Sequence, residues 1–296
     1  MNPSPHRGTI PLEDAVVVSQ EAWAGGQHVL RLSAPRCASM AMPGSFVHVT
    51  CGTGIPMRRP LSIMRASAEE GTIDILYKIV GHGLAALATR RPGDVISCLG
   101  PIGRGFAADP ARPRCLLIGG GVGIPPMIFL AESLTEDRHV GWQPLVLMGS
   151  EIPFPFHPRP SGFLVPGVPP GVIASMPLLE SLGVPSRLAS LAGFPGCYSG
   201  YVTELAAEWL GNLDASAMRE VAIHACGPTP MLRACAELAH RFGIPCQVSL
   251  EEYMACGVGG CAGCAVQVST TEGPAMKRVC VDGPVFPAET VFPRTA

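Results

Sequence analysis

The sequence predicts an α/β plus all-β chain: an all-β unit first, a parallel α/β unit next, and a small cysteine-bearing unit at the end. Three observations predict it. Short Val- and Leu-rich segments separated by Gly/Pro turns fill the chain as far as Phe106. From Arg114 onward, short apolar runs without alternation trade places with helical segments. Four of the twelve cysteines gather near the C-terminus. The units are expected at 1–108, 109–245 and 246–296.

In the first unit, Ala15–Ser19, His28–Ser33, Ser45–Thr50, Thr72–Val80 and Asp94–Leu99 read as strands of a barrel or sandwich. In the second, Arg114–Ile118 has the unbroken apolar character of a buried parallel strand. A glycine loop and a helix over Met127–Leu134 follow it. Gln143–Met148 and Val221–His224 are further strands, and Glu204–Leu210 and Met231–Phe242 further helices. Ile152–Gly171 is rich in Pro, Phe and Gly with no period, and reads as an insertion or long loop. A short strand from Gln247 leads into the cysteines.

Composition excludes several classes. With a net charge of −2 there is no basic footprint for nucleic acid. The apolar run Cys115–Ala131 is broken by glycines and prolines and is shorter than a spanning helix, so no membrane span is expected. Met1–Glu13 has no apolar h-region of the secretory type, and a cytoplasmic location is expected. Only 15% of residues are charged against 47% hydrophobic, a balance that suits a chain with part of its surface covered by a partner.

The cysteines are spaced Cys256-x4-Cys261-x2-Cys264, with Cys280 remote. This is the plant-type [2Fe–2S] spacing. Four thiolates must converge on two irons while the backbone wraps the inorganic sulfides. Gly257, Gly259, Gly260 and Gly263 supply a loop without obstructing side chains. A four-cysteine zinc site is the competing reading, although zinc sites more often pair two short knuckles. The other eight cysteines read as small buried hydrophobes.

Arg59-Pro60-Leu61-Ser62 follows a β-rich stretch, and Leu76-Tyr77-Lys78 and Gly83-Leu84 come next. Read as a turn, Arg59–Ser62 offers a cation for a diphosphate and a hydroxyl for a flavin ring atom. Tyr77 can stack on a ring face or be simply a strand residue, and Arg59 can equally be a surface cation. Gly83 admits a phosphate close to the backbone, at the N-terminus of a helix starting near Leu84. His82 can equally touch that phosphate or stand solvated in the loop.

Gly119, Gly120, Gly121 and Gly123 lie between a strand and Pro125-Pro126, the first turn of a helix. Cys226-Gly227-Pro228 repeats the strand–loop–helix arrangement. Two such loops at strand ends in one sheet form a crevice for a dinucleotide. By its residue type Cys226 reads as a buried small residue at a strand end, and His224 reads as a satisfied core histidine. Glu151 suits a ribose 2′-OH, which favours NADH and leaves NADPH open.

Taken together these motifs resemble the ferredoxin–NADP reductase superfamily, with its R-x-x-S/T flavin barrel, G-G-G-x-G-x-x-P loop and C-G-P turn. Gln247–Cys264 and Lys277–Phe286, with Arg59–Ser62 and Leu76–Lys78, are similar to the electron transfer subunits of B-type dihydroorotate dehydrogenase. Leu84 stands where that family has Thr. The resemblance implies an N-terminal FAD-binding β-barrel, an α/β nucleotide-binding domain and a C-terminal [2Fe–2S] domain. It implies FAD held between Arg59–Ser62, Leu76–Lys78 and Gly83–Leu84, and Cys226 near the nicotinamide ring. It further implies a relay from NADH through FAD and [2Fe–2S] to the FMN of a catalytic partner that oxidises dihydroorotate in pyrimidine biosynthesis, in a heterotetramer. The alternatives are the diaphorase subunit of a sulfhydrogenase or ferredoxin–NADP reductase complex, and a non-catalytic redox sensor.

Overall fold

The computed structural model describes residues 10–293. The first residues of the Met1–Glu13 segment and the last of the 246–296 unit lie outside the described residues.

The barrel strands are β1 (Leu12–Trp23), β2 (Gln27–Ser33), β3 (Phe46–Val49), β4 (Arg59–Ser67), β5 (Thr72–Lys78) and β6 (Val95–Ile102). They close antiparallel in the order β1-β2-β5-β4-β3-β6. Alternation explains the closure. Leu30, Leu32, Ile63, Ile73, Ile75 and Ile96 point inward and are at most 1% exposed. The short helix α1 (Pro35–Ala38) follows β2, and α2 (Gly81–Leu87) follows β5 and seats Leu87 in the barrel core.

The α/β unit begins with β7 (Arg114–Gly120), a 3-10 turn at Gly121–Gly123, and α3 (Ile124–Glu136). Next come β8 (Leu145–Gly149), the two-residue pair β9 (Arg159–Pro160) and β10 (Ala174–Ser175), α4 (Pro177–Ser181) and β11 (Ser186–Ala189). Then follow α5 (Val202–Gly211), α6 (Ala215–Arg219), β12 (Val221–Cys226), α7 (Thr229–Phe242) and β13 (Cys246–Ser249). Leu116, Leu117 and Ile118 of β7 are all fully buried, as a strand covered on both faces must be.

Beyond β13 lie the hairpin β14 (Ala265–Thr270) and β15 (Gly273–Arg278), then β16 (Val285–Pro287) and α8 (Ala288–Val291). The main sheet runs β11-β8-β7-β12-β13-β16. It is parallel except for β16, which pairs antiparallel with β13. Residues beyond 245 thus supply two strands to the nucleotide sheet.

The units share cores. Met64 and Leu76 of the barrel pack with Ile124, Met127 and Ile128 of α3. Phe46 and Ile102 of the barrel pack with Val268, Val279 and Phe286 of the C-terminal unit. Among the described residues no helix is long and apolar enough to cross a membrane.

Three readings from sequence change here. Arg59–Ser62 is the start of strand β4 and not a turn. The helix expected near Leu84 begins at Gly81, because Gly81 takes a φ of +70° as the chain leaves β5. The Pro-rich insertion is long and largely irregular, but it is anchored. Phe154 is buried against Phe156 and Phe194, and Gln27 Nε2 donates to the Pro153 carbonyl at 2.7 Å.

Candidate functional site

The barrel wall opens where the two flavin motifs meet. Strands β4 and β5 pair at Ile63↔Ile75 and onward to Ser67↔Thr72. On the other side of Ile63, Arg59–Ser62 pairs only with β3 and Leu76–Lys78 only with β2. Two backbone edges therefore face each other without a shared ladder, and their polar groups need partners. A planar ring with polar edges can supply them.

Arg59 stands at one end of this opening. A Cβ on Gly83 would lie 2.8 Å from its Nε and Nη2, so the guanidinium rests directly on the first turn of α2. Its Nη1 is tethered to the Met57 and Arg58 carbonyls at 2.8 and 3.2 Å. A cation and a helix start converge there, as a diphosphate requires. Leu84 follows Gly83 within α2 and is half-buried against the barrel core, so a side-chain hydroxyl is not offered at that position. Pro60 and Ser62 are half-buried, Leu61 points into the barrel, and Lys78 is exposed.

Tyr77 departs from its expected role. Its side chain is 1% exposed and turned into the barrel. The hydroxyl donates to Gln20 Oε1 at 2.9 Å, and the ring stacks on His28 at 5.4 Å. It is a core residue. Alternation along β5 sends its side chain inward, so what position 77 offers the opening is its backbone.

The two dinucleotide loops lie side by side at the carboxyl ends of adjacent parallel strands, with Cys226 opposite Gly119. Most of their glycines serve loop against loop. A Cβ on Gly123 would stand 2.3 Å from the Cys226 carbonyl oxygen, one on Gly119 2.8 Å from Ile124 Cα, and one on Gly120 2.5 Å from Met231 Sδ. A Cβ on Gly227 would stand 2.6 Å from Met231 Cε, and Pro228 starts α7. Gly121 alone of this set faces open space, at a φ of +55°. It is the point at which a ligand backbone can come closest.

Cys226 ends β12 and is 9% exposed. Burial pushes its thiol up to about 12, against a smaller lowering by the Ser249 hydroxyl, so it is neutral at ordinary pH. His224 is buried as expected, with its pKa lowered to about 4 by burial, but its Nδ1 has no hydrogen-bond partner among the described residues. His82 and Glu151 are both exposed.

The four clustered cysteines come together in two pairs. Cys264 Sγ and Cys280 Sγ are 3.4 Å apart. The thiols of Cys256 and Cys261 interact with each other. Among the described residues no trio of His, Cys, Asp or Glu surrounds a single ion position. Two and two suits a pair of irons better than one tetrahedral zinc. Burial raises the Cys256 thiol, but the N–H groups of Val258, Cys261 and Gly260 and the Cys261 thiol overcome this and bring it to about 7. The Gly263 N–H donates to Cys261 Sγ at 3.4 Å, and a backbone donor on sulfur is what a cluster loop needs. Burial and the neighbouring Cys264 push Cys280 up to about 12.

Residues other than the four cysteines hold this loop. Arg278 Nη1 donates to the Gly259 carbonyl at 2.8 Å, and Asp282 accepts from the Arg278 N–H at 2.8 Å. A Cβ on Gly259 would meet Val281 at 2.4 Å. His48 of β3 lies beneath Gly257. Arg278, Val281 and Asp282 fall within Lys277–Phe286, but nothing in the local sequence marks His48, because its partner Gly257 is distant in the chain.

The chain was compared with known proteins. Residues 251–292 match the family of the iron–sulfur cluster binding domain of dihydroorotate dehydrogenase B. The chain is 36% identical over 284 residues to the dihydroorotate dehydrogenase B (NAD(+)) electron transfer subunit of Bacillus caldolyticus, covering 94% of this chain and 98% of that protein. The same subunit of Desulforamulus reducens is 32% identical, covering 93% and 96%. Among solved structures, an NADH-dependent reduced ferredoxin–NADP oxidoreductase superposes with a TM-score of 0.74 at 26% identity, covering 94% of this chain and 89% of that one. A ferredoxin reductase of carbazole 1,9a-dioxygenase shares the fold, with a TM-score of 0.59 at 18% identity over 80% and 67%.

Proposed function

This chain belongs to the family of dihydroorotate dehydrogenase B electron transfer subunits, and we propose that it relays electrons between a nicotinamide nucleotide and the FMN of a separate catalytic subunit, through FAD and one [2Fe–2S] cluster. The observation that carries the reading is the pair of thiol pairs, Cys256 with Cys261 and Cys264 with Cys280, on a unit packed against an open-walled barrel.

When bound, the flavin and the cluster together convert two-electron hydride chemistry into single-electron transfer. The chain's own residues hold and separate these groups. Arg59 and the first turn of α2 at Gly83 bind the flavin diphosphate. The free edges of Arg59–Ser62 and Leu76–Lys78 bind the ring system. Gly121 and the loop Cys226–Pro228 receive the dinucleotide, with the neutral Cys226 thiol beside the nicotinamide. The exposed Cys261 and the 46%-exposed Val258 put the cluster end of the relay at the surface, where a partner can meet it.

A dehydrogenase named for NAD(+) passes substrate electrons to NAD(+), so in the assembled complex the relay runs toward the nucleotide. NADH drives it in reverse. The catalytic partner carries FMN, and the complex is a heterotetramer. The functional units are the FAD barrel at 1–108, the nucleotide unit at 109–245 and the cluster unit at 246–296. All twelve cysteines are free of disulfides, which fits the reducing cytoplasm. A diaphorase subunit of another complex is the second reading, favoured by the similarity to the NADH-dependent ferredoxin–NADP oxidoreductase.

An anaerobic visible spectrum tests the relay. Flavin bands and a broad iron–sulfur absorbance, both bleached by NADH, are expected. Adding an FMN-bearing dihydroorotate dehydrogenase catalytic subunit should then allow dihydroorotate to reduce NAD(+). A colourless protein containing one zinc overturns the relay. A competent relay that never couples to dihydroorotate leaves the diaphorase reading.

A further inference from the structure

Among the described residues, His48 is a fully buried polar side chain that the relay as described does not use. His48 is 0% exposed, and neither ring nitrogen completes a hydrogen bond among the described residues. A buried polar atom without a partner is costly. An aliphatic side chain would fill the same space without that cost.

The surroundings of His48 indicate what the ring is for. Its strand pairs with the flavin strand, His48 directly opposite Pro60. Its own carbonyl accepts from Arg58 Nη1 at 3.1 Å. The ring lies under the cluster loop, so close that a Cβ on Gly257 would stand 2.8 Å from Nδ1. Gly257 takes a φ of +68°, a conformation that a residue with a side chain rarely adopts. The backbone groups facing the ring are those of Arg58 and Cys256. One side of His48 thus belongs to the proposed flavin site and the other to the first proposed cluster ligand.

We propose that His48 is a positioning residue for the iron–sulfur loop: with the cluster bound, its Nδ1–H donates to the Cys256 carbonyl and fixes the cluster against the flavin strand. This rests on the proposed cluster at Cys256, Cys261, Cys264 and Cys280. The physical reason is twofold. Outer-shell hydrogen bonds orient metal ligands and tune the metal. Single-electron transfer also falls steeply with distance, so a rigid contact between the two sites sets its rate.

The test uses the full-length holoprotein and three substitutions. Asn puts its amide nitrogen near the position of Nδ1, Gln near that of Nε2, and Leu keeps the bulk without a polar atom. FAD content, cluster loss to a chelator followed by visible absorbance, the EPR spectrum of the reduced cluster and its midpoint potential are measured for each. His48→Leu and His48→Gln should lose the cluster roughly 10–100-fold faster than wild type, with altered EPR and potential and full FAD content. His48→Asn should stay close to wild type in all of these. A His48→Leu protein with wild-type cluster lifetime, EPR and potential overturns the proposal. So does a Gln variant that matches the Asn variant. If the Leu variant does not fold, the Asn–Gln comparison decides alone. A wild-type protein that binds no cluster overturns the proposed relay, and this role with it, whereas a normal wild-type cluster with indifferent variants overturns this role only.

Discussion

Arg65 and Glu132 form a two-pronged ion pair between the flavin strand β4 and the dinucleotide helix α3. Arg65 Nε lies 3.1 and 3.0 Å from the two carboxylate oxygens, and Nη2 donates to Oε1 as well. The pair joins the barrel to the nucleotide unit at the same seam where Met64 meets Ile128. Its side chains are 32% and 13% exposed, so water screens it only in part. Glu132→Gln should cost about 1 kcal/mol, or a Tm fall of about 2–4 °C. The gap from wild type should narrow in high salt. Arg65→Lys should not rescue the pair, because an ammonium cannot supply two parallel donors. Calorimetry at two salt concentrations checks all three.

Tyr77→Phe separates the structural role of this residue from the ring-stacking role its place in a flavin motif suggests. The change removes the hydroxyl that donates to Gln20 Oε1 and keeps the ring on His28. A loss of about 1 kcal/mol of stability is expected, with FAD content and flavin spectrum unchanged. A Tyr77→Phe protein that loses FAD while keeping its Tm would return the side chain to the cofactor site.

Where the sequence was informative, the signal was local. Cys256-x4-Cys261-x2-Cys264 fixes three sulfurs within one loop, and inward alternation in His28–Ser33 and Thr72–Val80 needs only one strand to be read. Arg59–Ser62 read as a turn because a proline usually disqualifies a central strand. Here it is tolerated, since Pro60 pairs on the β3 side alone and no ladder with β5 is broken. Tyr77 was misread for the opposite reason: the motif names the right strand, but only the barrel's closure decides which face is inside. Arg65 with Glu132, 67 residues apart, and His48 under Gly257 carry no local pattern at all. His224 showed its burial, as a polar residue in an apolar strand, but not its unpartnered Nδ1.

Gly123→Ala and Gly121→Ala should fail in different ways. The methyl on Gly123 meets the Cys226 carbonyl and the Gly227 nitrogen at 2.3 and 2.5 Å, both backbone atoms, so the two loops must separate. Stability should fall by about 1–3 kcal/mol, and flavin reduction by NADH should be lost with FAD retained. The methyl on Gly121 meets nothing within 4 Å but sits at a φ of +55°. It should cost only about 1–2 kcal/mol while raising the KM for NADH. Tm and NADH titrations on the two proteins distinguish loop packing from ligand approach.

The buried His224 makes the fold acid-sensitive in a defined window. It lies on β12 with its ring edge-on to Phe106, and burial lowers its pKa to about 4. In the unfolded chain it titrates near 6.5. Above pH 6.5 it is neutral in both states and costs nothing. As pH falls below 6.5 the unfolded chain takes up a proton that the folded one refuses, so stability drops. The drop ends near pH 4, where the folded state protonates too. Across that window the loss amounts to roughly 3 kcal/mol. Burial lowers His28 and His48 in the same direction, so the wild-type profile alone does not isolate this group. The difference between wild type and His224→Leu does. It should be flat above pH 6.5 and shift in favour of the variant down to pH 4, by urea unfolding at half-unit steps. Parallel profiles through that window would mean that His224 is already protonated in the folded state.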